Sequence, residues 1–374
     1  MERTGFATLP LHHGRAPKWL VSRMINLARQ IVTVIVDEFG KDEFLRRISD
    51  SYWFQALGCV LGYDWHSSGV TTVLTGVLRN AVTPEEHGLA VCGGKGRASR
   101  RTPSEIEQVG ERMGLSTSSI NRLRYISRMS AKIDNTAIQA GYPLYHHAMI
   151  LSEDGKWAVV QQGLNAEDRT ARRYHWLSEH VKALVVEPHS SIVGDLRRDV
   201  VLDMTARHSE ACRKTSVDIV KDNPRKIRRM FRSIKPLHQS SLSEWVPMKG
   251  RSLIPEYLHM PSRINWKAVK RLYDLQPKNY EELLSVKGVG QATVRGLALI
   301  SELIYGDKPS WKDPVKYSFA YGGKDGVPFP VDREAMDKSI EILEVAVRNA
   351  KIGDKDRLRS IERLRRHISE WRLK

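Results

Sequence analysis

The stretch Leu284-Ser-Val-Lys-Gly-Val-Gly-Gln-Ala-Thr-Val-Arg295 reads as the end of one helix, a tight turn and the start of another. Upstream, Asn279 stands where an N-cap belongs. Glu281 and Glu282 fall in the first turn, where acids favour the positive end of the helix dipole. Leu283, Leu284 and Val286 give this short helix an apolar side. Gly288 and Gly290 flank Val289, a pattern suited to backbone angles or close approaches that a Cβ blocks. Gln291 then opens a second helix with Val294, Leu297, Ala298 and Leu299 facing inward, stopped at Gly306. An ordinary helical turn with a glycine-rich end is the plainer reading; the capped first helix and the paired glycines together argue for more.

The pattern resembles the helix-hairpin-helix motif of DNA repair proteins. That resemblance implies a grip on backbone phosphates by hairpin amides and a helix N-terminus, without reading sequence. The expected contacts are Lys287, Gly288, Gly290, Thr293 and Arg295. Composition agrees: Lys and Arg number 60 against 43 Asp and Glu over 374 residues, a net charge of +17 that fits a polyanionic partner. A polybasic membrane-surface protein is the competing reading. No uninterrupted apolar run of about 18 residues is present, and His12, His13 and Arg15 break up any signal-like segment, so no membrane partner is expected. Cys59, Cys92 and Cys212 lack metal-binding spacing. They point to a reducing, cytoplasmic setting and to buried thiols rather than nucleophiles.

Helical spacing covers Lys18 to Phe39, although its Val/Ile-rich end also suits a strand. A second helix is expected from Val70 to Asn80, a third starting at Thr102-Pro103-Ser104-Glu105 and a fourth from Thr117 to Ala140. Residues 143–150 and 156–162 read as strands of a β-hairpin joined by Ser-Glu-Asp-Gly. Residues 205–236 carry ten bases and three acids, a basic helical connector, and the tail is helical over 335–348 and 354–372. The expected class is α+β: a mixed α+β domain over 1–196, a basic helical connector over 197–262 and an all-α domain over 263–374.

Candidate chemistry concentrates between Tyr125 and Trp176. Asp134 and Asn135 close a helix that leads into the hairpin. His146 and His147 face opposite sides of a strand, with Gln161 or Gln162 beside one of them on the partner strand. Asp134, Asn135, His146, His147, Gln161, Arg173 and His175 are the catalytic candidates for phosphodiester hydrolysis. Asp134 and His147 would hold Mg²⁺ or Mn²⁺, a histidine would activate water, and Arg172 or Arg173 would offset developing charge. The structural alternative is a half-buried polar network that fixes the fold. Gly93-Gly94-Lys95-Gly96-Arg97, with Arg100 and Arg101 behind it, is read as a phosphate-contacting loop against a mobile basic loop; it matches neither a Walker nor a dinucleotide fingerprint. Asp64-Trp65-His66 and Glu187-Pro188-His189 are weaker metal-ligand candidates. Asp332, in Pro330-Val331-Asp332, resembles the catalytic aspartate that follows the hairpin in DNA glycosylases. It lies 42 residues past Gly290, however, and Ala292 stands where lyase-type members carry lysine. Its plainer role is an N-cap.

Seven phrases together resemble one family: Arg3-Thr-Gly-Phe-Ala, Asp64-Trp-His-Ser-Ser-Gly, Gly93-Gly-Lys-Gly-Arg, Leu144-Tyr-His-His, Gln161-Gln-Gly, Ala171-Arg-Arg-Tyr-His-Trp and Glu187-Pro-His. It is a domain family of unknown function from archaea and thermophilic bacteria, similar to a ParB-like nuclease module joined to a helix-hairpin-helix module. The resemblance implies a cytosolic protein with a small α+β module carrying a phosphate-binding Gly-Gly-x-x-Arg element. Gly93 to Arg97 matches that element, except that the histidine usual before the arginine is missing. The expected function is a metal-dependent endonuclease acting on structured or single-stranded DNA, with a homodimer possible. The alternatives are a non-catalytic partition-type DNA binder, with a nucleotide at Gly93–Arg97, and a glycosylase using Asp332. No recognition helix for base readout is expected.

Overall fold

The expected hairpin is the centre of an antiparallel sheet. β3 (Leu144–Ser152) and β4 (Trp157–Asn165) pair across a turn where Gly155 takes φ 77°; β5 (Thr170–Leu177) and β6 (His189–Gly194) extend the meander. β1 (Leu89–Lys95) adds to the other edge, giving the order β1-β3-β4-β5-β6. β2 (Ile138–Gln139) and β7 (Leu202–Asp203) form a separate two-stranded ladder. The computed structural model describes residues 18–63, 68–194, 197–234, 258, 260–315 and 333–372.

Both faces of the sheet are buried, and its strands bury apolar runs at one end and a band of polar side chains at the other. Ile150, Ala158, Val160 and Leu177 pack on α1 (Lys18–Phe39), α2 (Lys41–Ser49), α3 (Ser51–Leu61) and α4 (Ser68–Ala81), which run through the short α5 (Pro84–His87) into β1. α1 is long and apolar enough to cross a membrane by length and composition, which the reading of the sequence missed. Its Met24, Leu27, Ala28, Ile31, Val32 and Ile35 are buried in this layer.

The opposite face presents Met149, Leu151, Trp157, Val159, Tyr174 and Trp176 to a second core. That core is shared with α6 (Arg97–Arg112), α7 (Thr117–Thr136), α8 (Glu210–Lys221), α9 (Pro224–Ile234), α10 (Trp266–Leu275), α11 (Tyr280–Ser285) and α12 (Gln291–Ile300). The last two helices, α13 (Arg333–Asn349) and α14 (Asp354–Arg372), return to α1 and α3, where Arg363 donates to the Val60 carbonyl at 3.2 Å. The class is mixed α+β, as expected.

Several boundaries differ from the sequence reading. α6 begins at Arg97, and Pro103 lies inside it. The carbonyl of Ser99, which Pro103 cannot bond, accepts instead from Thr102 Oγ1 at 2.9 Å, so the proline is absorbed without breaking the helix. α7 stops at Thr136 because Ile138 and Gln139 leave to pair with β7. Gly93, Gly94 and Lys95 are strand, not loop.

Candidate functional site

Register decides which polar groups meet. His147 lies opposite Gln161, and His146 opposite Gln162, which in turn faces Arg173 on β5. Opposed residues share a face, so the expected catalytic set is divided by the sheet itself. His147 and Gln161 point toward α7. His146, Gln162, Arg173 and His175 point toward α3 and α4.

On the α7 side, Asp134 is the sink of a hydrogen-bond chain. It accepts from Gln161 Nε2 at 2.6 Å, Trp176 Nε1 at 3.0 Å and His189 Nε2 at 2.5 Å. Gln161 Oε1 can only accept, so His147 Nδ1 carries the proton of that 2.8 Å bond. Nε2 of the same ring accepts from Ser127 Oγ at 2.8 Å. Every member is buried: Ser127 2 %, Asp134 1 %, His147 4 % and Gln161 0 % exposed. Burial pulls the His147 pKa down, so the ring is neutral and both nitrogens are committed.

On the other side, His146 Nε2 meets Thr75 Oγ1 at 3.1 Å. Burial, with smaller contributions from His147 and Lys95, pushes its pKa down to about 3. Arg173 donates to His175 Nε2 at 2.9 Å and to Thr71 Oγ1 at 3.3 Å, and lies 4.6 Å over the Phe54 ring. Desolvation lowers its pKa to about 9. Its neighbour Arg172 points the other way and makes a two-pronged pair with Asp313 at 3.0 and 2.7 Å, both side chains wholly buried. Asn135 joins neither cluster: its side chain accepts from Leu144 N at 3.3 Å.

The single cleft expected from Asp134, His146, His147, Gln161, Arg173 and His175 is therefore not formed. Asp134 and His147, expected to hold the metal, do not bond each other: Gln161 stands between them in the chain of bonds. Among the described residues no group of three or more His, Cys, Asp or Glu side chains is placed to hold a metal. His189, one of the weaker metal-ligand candidates, lies at the start of β6 and donates to Asp134. Asp64, Trp65, His66 and Asp332 lie outside the described residues. The cysteines are free and buried, with the Cys92 and Cys212 thiols raised to about 12 by burial, as expected of inert side chains.

The glycine run is partly engaged within the fold. Gly93 N donates to the Glu105 carboxylate at 2.7 Å and Gly96 N to the Tyr145 carbonyl at 2.8 Å, so two of its amides are already spent. A Cβ on Gly93 would fall 2.3 Å from the His147 carbonyl oxygen; glycine is there to let β1 approach β3. Lys95, Arg97, Arg100 and Arg101 are exposed around the start of α6.

The hairpin between α11 and α12 follows the expectation closely. Asn279 caps α11 by accepting from Glu282 N at 2.8 Å, Gly288 takes φ 96°, and Gly290 caps α12. Three successive carbonyls of the turn are held by side chains. Lys287 O accepts from Arg271 at 3.0 Å, Gly288 O from Asn265 Nδ2 at 3.1 Å, and Val289 O from the Lys132 ammonium. The first amides of α12, those of Gln291, Ala292 and Thr293, have no carbonyl within the helix to pair with. A Cβ on Gly290 would meet nothing within 4 Å, and Lys287 is exposed. Two expected contacts are corrected: the Thr293 side chain is 1 % exposed, and Arg295 lies half-buried, 5.4 Å over the Trp311 ring. Asn265, Arg271 and Lys132 were missed, because their roles depend on α10 and α7 folding back against the turn.

A family model spans residues 5–331. The chain belongs to the family of proteins of unknown function designated DUF763. No curated protein and no solved structure matches this DUF763 chain.

Proposed function

We propose that the protein binds DNA, and that α11 and α12 act as a helix-hairpin-helix holding a backbone phosphate. One observation carries this reading: the turn's carbonyls are tied inward by Arg271, Asn265 and Lys132 while the start of α12, open space at Gly290 and the Lys287 ammonium face outward. An anion there meets donors and positive charge without meeting carbonyl oxygens. Exposed Lys267, Lys270 and Arg271 on α10 extend the basic surface, in keeping with the net charge of +17.

Geometry favours a non-catalytic binder, of the partition-like kind, over the metal-dependent endonuclease. The carboxylate and imidazoles that were to cut DNA are sealed on two faces of a sheet, and on the α7 side the bonds of Asp134, Gln161 and His147 are made. A buried network that is fully satisfied fixes a fold. The Gly93–Arg97 element supports DNA contact through its exposed cations rather than a nucleotide cradle.

The test is titration of labelled duplex, junction and single-stranded DNA across a range of salt. Binding should weaken along a straight line in log salt, with a slope of about −0.9 per phosphate engaged on duplex. Lys287→Ala should reduce that slope by about one. Salt-insensitive binding, or an unchanged slope, sinks the reading. The same samples with Mg²⁺ or Mn²⁺ should leave the DNA intact; cleavage abolished by EDTA and by Asp134→Ala would restore the endonuclease.

A further inference from the structure

Helices α6 and α7 meet at a tight corner set by Gly110, Gly114, Ser116 and Ile120. Gly114 takes φ 71° and ends α6 with paired bonds: Leu115 N donates to Gly110 O at 2.9 Å and Gly114 N to Glu111 O at 3.1 Å. Ser116 then caps α7 by accepting from Ser119 N at 3.2 Å. Ile120 fills the angle. A Cβ on Gly110 would fall 2.7 Å from Ile120 Cγ1, so only glycine at 110 lets the two helices close. Arg124 braces the corner by pairing with Glu107 at 3.1 Å. Two helices closed on each other across a short glycine-containing turn have the form of a helix-turn-helix corner.

α7 divides its faces sharply. Ile120, Leu123, Ile126, Ser127, Met129 and Ser130 are buried. Thr117, Ser118, Asn121, Arg122, Tyr125 and Arg128 are exposed. This outward stripe has hydroxyl, amide and guanidinium groups and no carboxylate. Among the described residues, neither Arg122 nor Arg128 pairs with an acid. The stripe reaches α11 at mid-helix, where Tyr125 OH donates to Glu281 at 2.8 Å, and farther along α7 Lys132 donates to the hairpin turn. At the other end of the corner, exposed Lys95, Arg97, Arg100 and Arg101 surround the start of α6.

We propose that α6 and α7 form a helix-turn-helix that reads duplex DNA, with α7 in the major groove and the basic start of α6 over the flanking backbone. The proposal deepens the DNA-binding reading above and takes from it the identity of the ligand; its residues are separate from the hairpin. Arg offers a two-pronged match to guanine and Asn to adenine, while Ser and Thr fit several base edges. Arg122 and Asn121, side by side on the exposed stripe, are the reading pair. From Thr117 to Tyr125, where α11 meets the stripe, the helix spans roughly 12 Å, enough for about three base pairs. A face of this composition suits a polyanion with hydrogen-bonding edges better than an apolar protein partner. The protein then combines a sequence-reading helix with a sequence-blind phosphate grip docked against it.

The experiment is selection from a random duplex library with the full-length chain, followed by affinity measurement on the enriched sequences. A short consensus is expected. Asn121→Ala and Arg122→Ala should each relax one position of it and lower affinity for the consensus about tenfold or more, with little change on random duplex. Lys287→Ala should weaken all sequences alike and leave the consensus unchanged. Both reading residues are exposed, and matched thermal melts will show that these variants fold. Duplex binding with no consensus, or a consensus unaltered by both substitutions, overturns the helix-turn-helix and leaves the hairpin grip standing. Absence of binding to any DNA overturns both.

Discussion

Lys132 of α7 donates its ammonium hydrogen bond to the carbonyl of Val289, the residue between the two hairpin glycines. One helix thereby supports the turn that precedes another, across 157 residues of chain. Burial lowers the Lys132 pKa, a cost that the bond to Val289 offsets. Lys132→Met keeps the aliphatic stem and deletes the donor. It should lower stability by about 1–3 kcal/mol in urea titration and weaken DNA binding together. A wild-type midpoint would show that the contact carries nothing.

The two hairpin glycines should respond differently to a methyl group. At Gly288, φ is 96° and a Cβ would lie 2.8 Å from Asn265 Nδ2, the group that holds the turn's carbonyl. Gly288→Ala should cost about 1–3 kcal/mol. At Gly290, φ is −128° and the added methyl meets open space, so Gly290→Ala should melt like the parent. If that space receives a phosphate, the same variant loses DNA affinity. Equal affinities for Gly290→Ala and wild type would place the DNA elsewhere.

Asp134→Asn tests whether the buried chain of bonds is structural. The carboxylate accepts from three donors, and an amide would set its own N–H groups against at least one of them. The expected loss is about 3 kcal/mol or more by chemical denaturation. Whatever remains folded should bind DNA as before. A variant of full stability with altered DNA chemistry would return Asp134 to the list of reacting groups.

Acid should unfold this protein earlier than its carboxylates alone require. Burial holds His146 near 3, lowers His147, and, with help from Arg173, holds His175 well below its ordinary value. Their unfolded pKa is about 6.5, so the unfolded chain takes up protons that the folded one refuses. The associated stability is complete above about 6.5 and is lost as pH falls below it, at about 1.4 kcal/mol per pH unit for each buried imidazole. Denaturant midpoints measured from pH 7 to pH 4 should fall steeply, and His146→Gln should make the fall shallower. An identical slope in that variant would mean His146 is not neutral in the fold.

What could be read from the residues was whatever local chemistry decides. The β3–β4 hairpin and its histidine–glutamine neighbours follow from a period of two and a glycine turn. The α11–α12 hairpin follows from a cap, two acids and two glycines. Thr102-Pro103 misled because it has the form of a helix start; Thr102 Oγ1 supplies the missing donor and lets α6 run through it. The polar residues of β3 to β5 suggested one cleft because their burial on two faces depends on helices that arrive from both ends of the chain. Arg295 reads as a phosphate ligand until Trp311 is beneath it. The spacing Gly110, Gly114, Ile120 was in plain view, but its meaning rests on how closely two helices approach.

The pair of Arg172 with Asp313 bears on how this chain is made. Arg172 sits on the central sheet, and its carboxylate arrives 141 residues later, after the hairpin. A ribosome that has released the sheet has not yet released the carboxylate that pairs with its interior guanidinium. A fragment cut between them keeps a buried-type arginine without the acid that belongs to it, and removing one partner of a buried pair is costly.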